Sequence, residues 1–189
     1  LKAGVARDYT TFDEDGERWD FNNEKMRIKA KKEVMENKQE FIIGSVMCTD
    51  WSIMQNVNRK HFTDAQWKER MDNARSHLEF ICEHYRLQIE GGRYFVHEHP
   101  TTASSWAEAV IQKTMGAANA WVVRTNMCRF GMTTEKKGHS GLAYKPTDLM
   151  TNSICVADQL DRRCLNMITG KQDHSHAQLD GGRPKQAQC

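Results

Sequence analysis

At 189 residues the chain is long enough for one domain with its own core and short for two. Apolar residues make up 39% and charged residues 28%, a globular balance that excludes a disordered chain. A formal net charge of +2 does not by itself demand a polyanionic partner. No run approaches the ~18 apolar residues of a membrane helix, so no membrane partner is expected.

Residues 1–19 are polar and read as an irregular segment. Their charge leaves no room for a signal peptide, and a start at Leu1 rather than Met suggests an excised piece. Residues 20–39 read as a charged helix, capped by Asn22 or Asn23, with Met26, Ile28, Val34 and Met35 inward. Residues 40–45 read as a short buried strand. Residues 61–92 give the clearest helix: Thr63 and Gln66 have capping-box spacing, Trp67, Met71, Ala74, Leu78, Ile81 and Tyr85 recur every three or four positions, and Gly91-Gly92 stops it.

A strand over 93–100 follows, halted by Pro100. Residues 104–116 read as a helix with a second capping box, Ser105 and Glu108, and Gly116 at its end. Residues 118–126 read as a third strand. Helix and strand alternate, so the expected fold is α/β, Rossmann-like and doubly wound, with a mainly parallel sheet. Residues 127–146 look like a loop with basic residues, and 151–167 could hold one more helix. The expected organisation is an irregular segment at 1–19, an α/β domain at 20–169 and a loose tail at 170–189.

Six cysteines, at 48, 82, 128, 155, 164 and 189, include no C-x-x-C pair. Reduced thiols in an intracellular setting, nuclear in a eukaryote, are expected. In open parallel sheets, ligands bind beyond the carboxyl ends of the strands. Cys48 lies just past the first strand and Glu98 at the end of the second. If those strands are neighbours, a thiol and a carboxylate face one crevice, a nucleophile beside an acid. The bland alternatives are a structural cysteine and a solvated glutamate. His97 and His99 would share a strand face that Glu98 does not, which argues against a metal site there. Cys155, Cys164, His174 and His176 offer two thiols and two imidazoles, but compact zinc modules favour tighter Cys pairs; buried Cys with surface His is the alternative, and no metal is expected. Trp51 and Trp106 could stack on a base or simply fill the core.

These residues carry a resemblance. GSVMCTDWS resembles the nucleophile loop of DNA cytosine-5 methyltransferases, and RYFVHEHP their strand ending in E-N-V or E-N-P. FGM…YKPTDLMTNS is similar to a Y-G-x-x-x-K-P-T-x-x-x-T-N segment of phage-type members. The same set resembles a methyltransferase-like module in polyproteins of protist retroelements, over most of residues 18–183. The resemblance implies a methyltransferase-type fold truncated at its N-terminal side. Cys48 would attack carbon 6 of an extruded cytosine and Glu98 would hold ring nitrogen 3. The methyl donor would be S-adenosylmethionine, with Asp20, Gly44 and Ser45 at the cofactor. DNA would be the partner, its phosphates met by Arg124, Arg129, Lys136, Lys137 and Lys145, and further domains of a polyprotein would be neighbours. Three departures stand out. Met47 replaces the proline before the cysteine, His99 replaces the Asn after the Glu, and the F-x-G-x-G loop of the cofactor site is absent. A non-catalytic nucleic-acid-binding or structural module is the alternative.

Overall fold

The computed structural model describes residues 8–9, 11–136, 139–170 and 173–177. Helix α1, Glu24–Asn37, is capped by Asn23, whose side chain accepts from the Lys25 N–H. Met26, Ala30 and Val34 form its buried stripe; Ile28 and Met35, expected inward, are exposed. A thin stripe of this kind is shifted easily by what the partner offers. Here Trp19, Met26 and Ala30 pack with Tyr9, Phe21 and Phe80. Lys29 clamps the preceding segment through Asp13 at 2.6 Å and Asp15 at 2.7 Å.

Strand β1, Phe41–Gly44, leads to a 3₁₀ turn, Cys48–Trp51, and a short helix α2, Gln55–Asn58. Helix α3, Asp64–Glu90, opens on the expected Thr63/Gln66 capping box. It delivers Leu78, Cys82 and Tyr85 into the core, where they meet Phe95, Ile111, Met150 and Trp51. Each fully buried side chain of this size contributes roughly 1.5–3 kcal/mol relative to exposure. Strand β2, Tyr94–Pro100, follows. Helix α4, Ala109–Ala118, starts later than the capping-box spacing suggested. Ser104–Ala107 is a 3₁₀ turn, and Ser105 is buried with its hydroxyl on His99 rather than on a helix N–H. Nor does Gly116 end α4; the chain turns at Asn119 in the left-handed region, φ 46°.

Strand β3, Trp121–Asn126, is followed by β4, Thr133–Lys136, β5, His139–Ala143, and β6, Pro146–Thr151. The expected loop is therefore a hairpin and a strand. Helices α5, Ile154–Leu160, and α6, Leu165–Thr169, replace the single expected helix, and β7, His176–Ala177, closes the described chain.

The main sheet has the order β1-β2-β6-β3. β1 and β2 are parallel, as expected, but β6 is antiparallel to both its neighbours, so the sheet is mixed rather than mainly parallel. β6 was hidden because it opens on proline and buries polar residues. Asp148 is nonetheless satisfied by Thr101 at 2.7 Å and Arg124 at 3.0 Å. A second sheet has the order β4-β5-β7. No described helix is long and apolar enough to cross a membrane.

Candidate functional site

The parallel register of β1 and β2 sets Gly44, the last residue of β1, opposite His97, and β2 runs three residues further, to Pro100. Ser45, the next residue, donates its hydroxyl to Glu98 Oε2 at 2.6 Å. Lys145, one residue before β6, donates its ammonium to Glu98 Oε1 at 3.2 Å. Three distant segments thus meet on one carboxylate, whose side chain is 17% exposed.

Cys48 stands three residues past Ser45 and is exposed. Its loop is held from both sides. Trp51 is buried in the core, and Asp50 pairs with Arg70 of α3 at 2.5 Å. Gln55 Nε2 donates to the Thr49 carbonyl at 2.7 Å. Met47, where a proline was anticipated from the resemblance, has φ −59°, inside the range that a proline ring imposes. The loop therefore keeps a proline-compatible backbone without the proline.

Gly44 has a packing reason to be glycine. A Cβ there would run into the Tyr85 hydroxyl and Ile81 of α3. The face it shares is the one carrying His97 and His99, both fully buried. Tyr85 Oη lies 3.0 Å from His97 Nδ1, and Ser105 Oγ meets His99 Nδ1. Burial pushes His97 down to about 3 and His99 to about 4. Alternation along β2 sends Glu98 to the opposite face, so the His-Glu-His run does not converge on one point. Trp51 and Trp106 belong to the core, and the Trp106 indole donates to the Pro100 carbonyl at 3.0 Å.

Asp20 precedes α1 and takes two 3.0 Å hydrogen bonds from Asn22, which hold its carboxyl below the usual range. Among the basic residues expected at phosphates, Arg124 pairs with Asp148 at 3.0 Å, Arg129 with Asp173 at 3.7 Å and Lys145 with Glu98. Lys136 ends β4, and Lys137 lies outside the described residues.

A second constellation lies at the same end of the strands, toward the β3 edge, where the Met127 N–H donates to the Lys145 carbonyl at 3.1 Å. The Cys128, Cys164, His174 and His176 ligand atoms all lie within 4.8 Å of one another. Cys128 follows β3 by two residues, Cys164 precedes α6, and the histidines flank the start of β7. Cys155, grouped with these residues from sequence, is instead exposed on α5. Cys128 was overlooked because it is 36 residues from Cys164, and only the fold brings them together. Arg129, Arg162 and Arg163 line an open cleft nearby, with Asp161 and Ile168.

Comparison with protein-family models, with curated proteins and with solved structures gives no match.

Proposed function

We propose that the chain is a cytosine-5 methyltransferase-like domain that keeps the base-side pair, Cys48 and Glu98, and acts as a nucleic-acid-binding module without a cofactor site of its own. The observation that carries this is Glu98 held between Ser45 and Lys145, with the exposed Cys48 three residues beyond Ser45 on an anchored loop. The sheet supports the same view. β1, β2 and β3 run in one direction with helices between them, and reversed β6 lies between the last two. This order fits the C-terminal half of a doubly wound methyltransferase-type sheet.

The chemistry of the site suits cytosine. Paired with an ammonium, Glu98 is an acceptor, and cytosine offers an exocyclic amine to accept from. Thymine offers a carbonyl in the same place, which a carboxylate repels. A base must leave its stack to reach such a site.

The residues expected at S-adenosylmethionine do not fit it. The open side of Gly44 is filled by Tyr85 and Ile81, the Ser45 hydroxyl is committed to Glu98, and Asp20 is satisfied by Asn22. No methyl-transfer step is therefore assigned to these residues.

A second reading, a purely structural module of a retroelement polyprotein, is favoured by one observation. Arg124, Arg129 and Lys145 each already face a carboxylate of the same chain.

The deciding experiment is fluorescence anisotropy with a DNA duplex carrying one cytosine opposite an abasic site. Binding should prefer it over the thymine counterpart, and Glu98→Ala should abolish that preference. Equal affinity for the two duplexes would leave the structural reading in place. A calorimetric titration with S-adenosylmethionine should show no heat; binding would restore the methyltransferase reading.

A further inference from the structure

We propose that Cys128, Cys164, His174 and His176 form a tetrahedral zinc site that staples the C-terminal strand to the main sheet. The distances are those of a zinc shell. With Zn–S of about 2.3 Å and Zn–N of about 2.0–2.1 Å, sulfur and nitrogen in a tetrahedron lie about 3.5 Å apart. Cys164 Sγ lies 3.6 Å from His174 Nε2 and 3.5 Å from His176 Nε2. The two Nε2 atoms are 2.8 Å apart, about 0.5 Å inside the ideal edge.

The donor set selects the metal. Two thiols and two imidazoles in tetrahedral array suit zinc over magnesium or calcium, which prefer oxygen. Four protein ligands leave no open position, so the site is structural rather than hydrolytic.

The surroundings are built to hold it. Asp173 Oδ2 lies 3.3 Å from His174 Nδ1, which orients the ring and leaves Nε2 for the metal. The Asn126 side-chain oxygen accepts from the Cys164 N–H at 2.7 Å. Asn166 grips the histidine segment three times, donating to the His174 carbonyl at 2.6 Å and accepting from the Asp173 N–H at 2.6 Å and the His174 N–H at 3.4 Å. Both cysteines are buried, at 5% and 0% exposure, and shielded from exchange with solvent. The ligands come from three places: just after β3, between α5 and α6, and around β7. Two-residue β7 pairs with β5 over only two positions, too few to hold it alone. A metal bridge supplies what the ladder does not, as in small domains where metal binding is coupled to folding.

The test is metal content of the full chain, purified under reducing conditions and dialysed against zinc-free buffer. One zinc per chain is expected, and a chelator should lower the thermal midpoint. Cobalt in place of zinc should give intense tetrahedral bands with sulfur-to-metal charge transfer. Cys155→Ser should keep those bands. Cys164→Ser should lose the charge transfer in part, and His176→Ala should weaken zinc binding by at least about a hundredfold. If Cys164→Ser does not fold, the metal content of the unaltered chain still decides. A folded chain that takes up no zinc or cobalt would overturn the proposal. So would a Cys128–Cys164 disulfide under the same reducing conditions, or a Cys128→Ser chain with unchanged bands.

Discussion

Ser45 Oγ and Glu98 Oε2 lie 2.6 Å apart although 53 positions separate them in the chain. The bond ties the residue after β1 to the interior of β2, two residues before that strand ends. Because Glu98 also holds Lys145, and these groups are only partly buried, the cluster adds little to stability. Glu98→Ala should move the unfolding free energy by no more than about 1 kcal/mol, while removing discrimination between cytosine and thymine duplexes. Denaturant melts and anisotropy on the same variant separate the two effects. A large loss of stability would mean the cluster is a structural clamp.

Met47 tests whether the Cys48 loop retains the geometry of a proline-bearing ancestor. Its φ of −59° already suits proline, and among the described residues no backbone carbonyl accepts from its N–H. Met47→Pro should stabilise the chain by about 0.4–1 kcal/mol through the unfolded state. A lower melting temperature in the variant would show that the residue before it, Val46, cannot adopt the extended backbone a proline requires.

The opposite outcome is expected at Gly44. Gly44→Ala places a methyl group against Tyr85 and Ile81 and should cost about 1–3 kcal/mol. Ser45→Ala, one residue on, is the control and should cost less. Equal costs would show that α3 can retreat from β1.

Much of this frame was legible in sequence because its signals are local. The Thr63/Gln66 box, the stripe of α3 and the apolar run of β1 announce their elements directly, although β1 is an edge strand with Ile43 71% exposed rather than a buried one. β6 did not, since Thr147, Asp148 and Thr151 are buried and polar, and only their tertiary partners make that tolerable. Ser105 misled for a related reason. Its capping-box spacing was sound, yet its hydroxyl is taken by a buried His99. At the site, β1 and β2 are the parallel neighbours expected, although Glu98 lies two residues before the end of β2 rather than at it. The role of Lys145 as the partner of Glu98 was not legible, because it depends on where reversed β6 enters the sheet.

Acid should unfold the protein early. Burial holds His97 at about 3 and His99 at about 4, whereas both titrate near about 6.5 once unfolded. Between those values the unfolded chain binds more protons than the folded one, so stability rises with pH. It is fully present above about pH 6.5 and is lost as pH falls. Each histidine costs about 1.4 kcal/mol per pH unit until its folded value is reached. Urea midpoints should therefore drop between about pH 6.5 and pH 4. A flat profile would contradict the burial of the pair.

Thiol chemistry gives a map of the same fold. Cys48 and Cys155 are exposed and should alkylate in the native chain. Cys82, pushed up to about 11 by burial, should react only on unfolding, as should Cys128 and Cys164. Mass spectrometry of a timed alkylation reads this directly. Native labelling of Cys82 ahead of Cys48 would contradict the packing of α3.

The His-Glu-His run of β2 also acts as a parity check on folding. Strand side chains alternate, so a slip of one residue would carry Glu98 inward, beside Tyr85 and away from Lys145, and turn both imidazoles to water. A buried, unpaired carboxylate is among the most costly errors a core can hold. Of the two faces β2 could present to α3, its own composition therefore rejects one. An insertion or deletion of a single residue in β2 should be far more damaging than any substitution there, because it inverts the strand rather than altering one contact.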